Sequence, residues 1–373
     1  MQKKRVVIKF GSSSLTTPDG QIDLKRISFY VQNIYGLVQE GYIPVIVSSG
    51  AVAAGYSRVG YKKRPVILSQ KQAAAAVGQG LLMQIYNEQF SKFGLVVSQL
   101  LLTRLDLTDR IRCHNAFNTL EELLQHGVVP IINENDSVSV NELKFGDNDL
   151  LSSYVANLVK AQNLLIVTDT NGLYTDDPRK NPDATRIDTV DSISDEILGL
   201  AGGAGSSVGT GGMRTKVEAA RVALFGGISV YVGQLHAQST LLDMLHEKGD
   251  GTYFRPSSSP LSMKKQWLGL HSLVRGEITI DEGAAQALLK QGKSLLPAGV
   301  VEVNGEFHQG DVVEVKNQEG HALGRGISNY NDWQIRAVKG LNSQEVQKRT
   351  EVDKLEVIHR DEWVSYHLVG EEY

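Results

Sequence analysis

The chain has 373 residues, enough for about two domains. With 41 % apolar and 21 % charged residues it reads as soluble and globular, and no apolar run approaches the ~18 residues of a membrane-spanning helix. A net charge of −4 makes no general case for nucleic acid, and the single cysteine, Cys113, excludes an intrachain disulfide and gives no sign of a thiolate metal site.

The start, Met1-Gln2-Lys3-Lys4-Arg5, is basic but lacks the apolar core of a signal peptide, so a reducing cytoplasm is expected. The apolar run Val6–Phe10 then predicts a strand, with Lys9 at its end and Gly11-Ser12-Ser13-Ser14 as a small-residue turn. Ile27, Tyr30, Val31, Ile34, Leu37 and Val38 recur at three- and four-residue spacing, which is one face of a helix. Asp23 is its expected N-cap and Gly41 its stop. Further strands are expected at Ile43–Val47, Leu95–Leu102, Val128–Ile132, Leu164–Val167 and Ile228–Val232. They are nearly continuous in apolar residues, as for strands buried on both faces of a parallel sheet. Helices fit Asp109–His126, ended by Gly127, then Asp149–Ala161 and Met213–Phe225. Cys113 falls on the first of these and reads as a half-buried structural thiol.

This alternation of strand and helix predicts an α/β fold, an αβα sandwich with a mainly parallel sheet. In such sheets ligands bind beyond the carboxyl ends of the strands. Polar runs fall there: Ser48-Ser49-Gly50, Asn133-Glu134-Asn135-Asp136 and Thr168-Asp169-Thr170-Asn171-Gly172, besides the turn after Lys9. Phe254-Arg255-Pro256-Ser257-Ser258-Ser259-Pro260 reads as a linker, and beyond it short turn-rich segments predict a small β-rich barrel or sandwich with one helix near Glu282–Gln291. The expected division is 1–255, a linker at 256–270, a second domain at 271–355 and a tail at 356–373.

Familiar nucleotide signatures are absent. No G-x-x-x-x-G-K-[ST] occurs, and Phe145-Gly146-Asp147 has no kinase H-R-D loop to accompany it. The stretch Ala201–Gly212 is either a flexible surface loop or a phosphate cradle. The second reading gains from Lys216, which follows in the first turn of a predicted helix, where the helix dipole disfavours a cation unless an anion is bound. Asp147, Asn148 and Asp149 exceed what capping the next helix needs, which points to a substrate or metal role for at least one. Two lysines, a glycine loop and clustered acids suit phosphoryl transfer, which is largely charge placement.

Together these segments resemble the amino-acid kinase family. The carrying runs are Val7-Ile8-Lys9-Phe10-Gly11-Ser12, Val47-Ser48-Ser49-Gly50, Ile132-Asn133-Glu134-Asn135-Asp136, Gly146-Asp147-Asn148-Asp149, Val167-Thr168-Asp169-Thr170-Asn171-Gly172 and Gly209-Thr210-Gly211-Gly212-Met213-Arg214-Thr215-Lys216. The last part resembles a PUA domain through Asp281-Glu282-Gly283-Ala284-Ala285, Leu295-Leu296-Pro297-Ala298-Gly299 and Gly310-Asp311-Val312-Val313.

The resemblance implies ATP-dependent phosphorylation of the γ-carboxylate of L-glutamate, with Mg²⁺, giving L-glutamyl 5-phosphate for proline synthesis. It implies Lys9, Lys216 and Asp149 as catalytic, with Asp149 orienting the lysines or a magnesium shell. It implies Ser49, Asp136, Asp147 and Asn148 as substrate-binding. Lys9, Gly11, Thr168, Asp169, Thr210, Gly211, Gly212, Met213, Arg214, Thr215 and Lys216 would line the ATP site. Which side chains hold magnesium stays open. Proline as feedback inhibitor, glutamyl phosphate reductase as the next enzyme and a homo-oligomer are implied likewise. Other acceptors of the family, aspartate, N-acetylglutamate or uridylate, are alternatives, as is RNA binding through the PUA-like part. From Leu261 onward there are 13 Lys and Arg against 17 Asp and Glu, which argues against RNA.

Overall fold

The computed structural model describes residues 4–17, 19–138, 148–202, 212–256, 265, 268–269, 272–349 and 354–366. The chain divides into two units, 1–259 and 260–373. Most of the expected linker lies outside the described residues, as do Asp147, Thr210 and Gly211.

The first unit grows from β1 (Arg5–Phe10), followed by the single turn α1 (Ser12–Leu15) and the helix α2 (Leu24–Gln39). Asp23 caps α2 as its sequence predicts, accepting from the Lys25 and Arg26 amides at 3.0 and 3.1 Å. Asp23→Ala should therefore cost about 1 kcal/mol, read as a lowered thermal midpoint; an unchanged midpoint would mean that water serves those amides equally well. The helix buries Ile27, Tyr30, Val31, Ile34 and Leu37, and Gly41 follows it with φ +83°, a conformation open to glycine.

Next come β2 (Ile43–Ser48), α3 (Ala51–Gly55), α4 (Leu68–Ser91), β3 (Val97–Leu102), α5 (Arg104–Thr108), α6 (Arg110–Gln125) and β4 (Val129–Glu134). Then follow α7 (Asn148–Leu158), β5 (Asn163–Val167), a short hairpin of β6 (Leu173–Tyr174) and β7 (Arg186–Ile187), β8 (Thr189–Val190) and α8 (Asp195–Gly202). The unit closes with α9 (Met213–Phe225), β9 (Ser229–Gly233), α10 (Leu241–Leu245) and β10 (Gly251–Phe254).

Among the described residues eight strands form one sheet in the order β3-β4-β2-β1-β5-β9-β10-β8. Pairing is parallel from β3 to β9, and β10 runs antiparallel to β9. Side chains alternate between the two faces. Val7, Val47, Ile132, Ile166 and Val232 pack into one core with α6, α7 and α9. Val6, Ile8, Phe10, Ile46, Ile131 and Tyr231 pack into the other with α2, α4 and α10. The result is an αβα sandwich. Lys9 follows Val7 by two residues, so it points into the layer of α7 and α9.

The first unit differs from the sequence reading at β3 and α4, among other places. Leu95–Leu102 is expected to be buried on both faces, yet the strand is Val97–Leu102 and only Leu102 is buried. Among the described residues it is the sheet's last strand and pairs with β4 alone, which accounts for its partial exposure. The 24-residue α4 is missing from the expected elements. Its buried face includes a ridge at four-residue spacing, Ala74, Gly78, Leu82, Tyr86 and Phe90, where two small residues mute the apolar stripe. Cys113 is half-buried on α6 as expected, and burial pushes its thiol up.

In the second unit, β11 (Val274–Ile280), β12 (Val300–Gly305), β13 (Val312–Lys316), β14 (Ala322–Ile327) and β15 (Trp363–Ser365) form a sheet in the order β12-β11-β13-β14-β15. Among the described residues only β11 and β13 pair in parallel there. Ile278, Val313, Val315, Leu323 and Trp363 share its core with the helix Glu282–Leu289. Two seven-residue helices, Asp332–Val338 and Ser343–Arg349, join the one expected; so short a helix shows too few apolar positions to reveal a period. Strand β15 draws on residues past 355. Among the described residues no helix is long and apolar enough to cross a membrane.

Candidate active site

Three charged side chains from three elements meet beyond the carboxyl edge of the sheet. Asp149, in the first turn of α7, reaches Lys9 of β1 and Lys216 of α9 at once. Its Oδ1 lies 2.5 Å from Lys9 Nζ and its Oδ2 lies 3.0 Å from Lys216 Nζ. The three are almost closed to solvent, at 0 %, 3 % and 6 % exposure for Asp149, Lys9 and Lys216. Charges so buried persist only when paired, and the pairing is what holds both ammonium groups in place. Two ammoniums and one carboxylate leave this trio with net charge +1, an environment suited to an anion.

The anion that offsets Lys216 against the helix dipole is thus partly the protein's own Asp149. Thr215, one residue earlier, places Oγ1 3.0 Å from Asp149 Oδ2 and 2.9 Å from the Gly212 carbonyl; its single proton serves one of them. Gly212 precedes α9 without a side-chain cap. Met213 packs against the core below, and Arg214 turns outward to Glu218 at 3.1 Å. Gly11 follows β1, and a Cβ there would come within 3.5 Å of Lys9 Nζ, so glycine keeps the space beside that lysine open. Thr168 and Asp169 follow β5 directly. The Thr168 amide donates to the Gly233 carbonyl at 3.0 Å, and Gln234 Nε2 donates to the Asp169 carbonyl at 2.5 Å, so this edge is tied to β9.

The polar residues after β2 and β4 form a second group next to the trio. Asn148 Nδ2 donates its two protons to the Ser48 carbonyl at 2.8 Å and to Asn133 Oδ1 at 2.9 Å, and Ser49 Oγ lies 3.0 Å from the same nitrogen. The adjacent Ser48 Oγ lies 2.9 Å from the Tyr86 hydroxyl. Burial pushes the Tyr86 phenol well above its usual range, so it stays a neutral hydrogen-bonding group. Asp136 sits two residues past β4 on the same edge, partly buried.

Lys9, Asp149, Lys216 and Thr215 are therefore brought together, and Asn148 and Ser49 beside them. Sequence reasoning assigned no role to Gln79, Asn133, Tyr86 or Gln234. Asn133 stood in a run already singled out, and a polar residue next to the end of an otherwise apolar strand was the available signal. Gln79 and Tyr86 come from α4, the helix that the periodicity concealed. Among the described residues no group of three or more His, Cys, Asp and Glu is arranged to hold a metal ion.

Comparison with known proteins is consistent along the whole chain. Residues 4–234 match the amino acid kinase family and residues 276–350 match the PUA domain. A glutamate 5-kinase of Bacillus cereus (strain G9842) is 51 % identical over 366 residues, covering 98 % of this chain and 100 % of that protein. One from Geobacillus thermodenitrificans (strain NG80-2) is 50 % identical over 366 residues, covering 98 % of each. Among solved structures, carbamate kinase from Giardia lamblia bound to AMP-PNP superposes with a TM-score of 0.51 at 20 % identity, covering 69 % of this chain and 99 % of that one, a likeness of fold. A family match over most of the first unit, and relatives half identical from end to end, lead to one conclusion: this chain belongs to the amino acid kinase family.

Proposed function

We propose that the chain transfers the γ-phosphoryl group of ATP to the side-chain carboxylate of L-glutamate, giving L-glutamyl 5-phosphate for proline synthesis in the cytoplasm. The observation that carries the chemistry is the Lys9–Asp149–Lys216 trio. The half-identical glutamate 5-kinases supply the acceptor.

A glutamate side chain has a reference pKa of about 4.3, so it arrives ionised and needs no general base. The obstacle is repulsion between an anionic nucleophile and an anionic phosphate. Lys9 and Lys216 reduce it, and Asp149 keeps them from swinging away when no substrate is bound. Asp149 is a positioning group in this scheme: one oxygen faces Lys9 and the other Lys216 and Thr215, which fills it as an organiser of lysines. Mg²⁺, carried on the ATP phosphates, would offset part of their charge. Thr168, Asp169 and the start of α9 line the ATP side, while Ser49, Asp136 and Asn148 hold glutamate; Thr210, Gly211 and Asp147, outside the described residues, carry the roles that the resemblance implies. The acyl phosphate is labile, which fits direct consumption by glutamyl phosphate reductase. Proline as feedback inhibitor and a homo-oligomeric assembly complete the reading.

Trapping with hydroxylamine tests it. ATP-dependent hydroxamate should form with glutamate and far less with aspartate or N-acetylglutamate; no product with glutamate would refute the assignment. Lys216→Ala should lower kcat by about 10²–10³-fold, the size of effect seen when a donor to transition-state charge is lost. Unchanged turnover in that variant would take Lys216 out of the chemistry.

A further inference from the structure

Four side-chain amides are linked in series from the carboxyl end of β4 to the middle of β3 in the first unit. Asn148 Nδ2 donates to Asn133 Oδ1, Asn133 Nδ2 to Gln79 Oε1, and Gln79 Nε2 to Gln99 Oε1, each at 2.9 Å. A side-chain amide has a donor end and an acceptor end, and a flip exchanges them. Two backbone groups forbid a flip here. The Glu134 N–H donates to Asn133 Oδ1 at 2.9 Å, which fixes that atom as the acceptor. The Ser48 carbonyl accepts from Asn148 at 2.8 Å, which fixes that atom as the donor. Reversing either residue would set donor against donor or acceptor against acceptor.

This direction has a consequence at the far end of Asn148. Its Oδ1 is buried and has no hydrogen-bond partner among the described residues. A buried acceptor left unpaired is unfavourable, so the group that completes it must be a donor. Gln79 is buried on α4, 8 % exposed, and it supplies the acceptor that holds the Asn133 amide group, itself 2 % exposed.

We propose that Gln79 is a positioning residue. Through Asn133 it locks the Asn148 amide with Oδ1 presented to the substrate, and the site thereby selects an acceptor that carries a free ammonium group. An ammonium offers three N–H donors, whereas an acylated amine offers one and a deaminated acid none. The inference rests on the reading that an amino acid's carboxylate is the acceptor.

The test compares glutamate with glutarate, the same diacid without its amine, in the hydroxamate assay on the full chain. The wild-type protein should prefer glutamate in kcat/KM by about a hundredfold or more, because glutarate leaves the acceptor unpaired. Gln79→Met keeps the side-chain length and removes both amide ends. It should raise the glutamate KM about tenfold and leave the ATP KM and the glutarate kcat/KM within about twofold, so that the preference falls about tenfold. A purely structural role would depress both acceptors alike, and equal losses overturn the proposal. Gln79→Glu keeps an acceptor for Asn133 in either protonation state and should retain the wild-type preference. If Gln79→Met does not fold, Gln79→Glu decides, and loss of the preference there refutes the relay. Failure of the wild-type protein to act on glutamate would refute the functional reading instead, before any variant is compared.

Discussion

Asp149→Ala should destabilise the first unit by about 3–5 kcal/mol, because it leaves two buried ammonium groups without their shared carboxylate. Asp149 has no solvent exposure, and Lys9 and Lys216 have 3 % and 6 %. Neither lysine can reach water without moving the backbone or opening the site. The loss should exceed that of Lys216→Ala, which removes one ammonium and leaves Asp149 paired with Lys9 at 2.5 Å. Urea unfolding followed by far-UV circular dichroism would measure it. Tryptophan fluorescence would not, since Trp267, Trp333 and Trp363 all lie in the second unit. A loss under about 1 kcal/mol would show that water or a bound anion replaces the carboxylate cheaply, and the trio would then be no structural device.

The second large effect belongs to Gly78→Ala, one methyl group far from the charged trio. Helices α3 and α4 cross through Gly55 and Gly78 with no room for a side chain. A Cβ on Gly78 would lie 1.8 Å from the Ala51 carbonyl oxygen and 2.5 Å from the Gly55 amide nitrogen. These are backbone atoms and cannot rotate aside, so the helices must part by an ångström or more. Overpacking of this kind costs about 1–3 kcal/mol, and rigid backbone on both sides favours the upper end. The displacement would reach the site. Helix α3 begins directly after Ser48-Ser49-Gly50, and Gly50 holds φ +100° to make that turn. Glutamate KM should rise together with the loss of stability, while ATP binding through α9 is spared. Gly80→Ala is the control, since a Cβ there meets nothing within 4 Å. Equal stability of the two variants would contradict the close crossing.

The lesson for the fold lies in which residues announced themselves. Val6–Phe10, Ile43–Val47 and Leu164–Val167 are short, nearly pure apolar runs, and they became central parallel strands because burial on both faces demands that composition. Asp23 and Gly41 marked the ends of α2 through local chemistry, a carboxylate on two free amides and a left-handed turn. Lys9, Asp149 and Lys216 could be named because each sits where a strand ends or a helix begins in an α/β unit. Their meeting could not be read from spacing, since 140 residues separate the first from the second. It follows from β1 lying at the middle of the sheet and from a side-chain alternation that turns Lys9 toward α7 and α9. Helix α4 stayed hidden because small residues on its buried face serve a close crossing instead of an apolar stripe. Gln79 and Asn133 stayed hidden for a related reason: a buried amide gains its role from the partners that satisfy it, and only the tertiary structure supplies those.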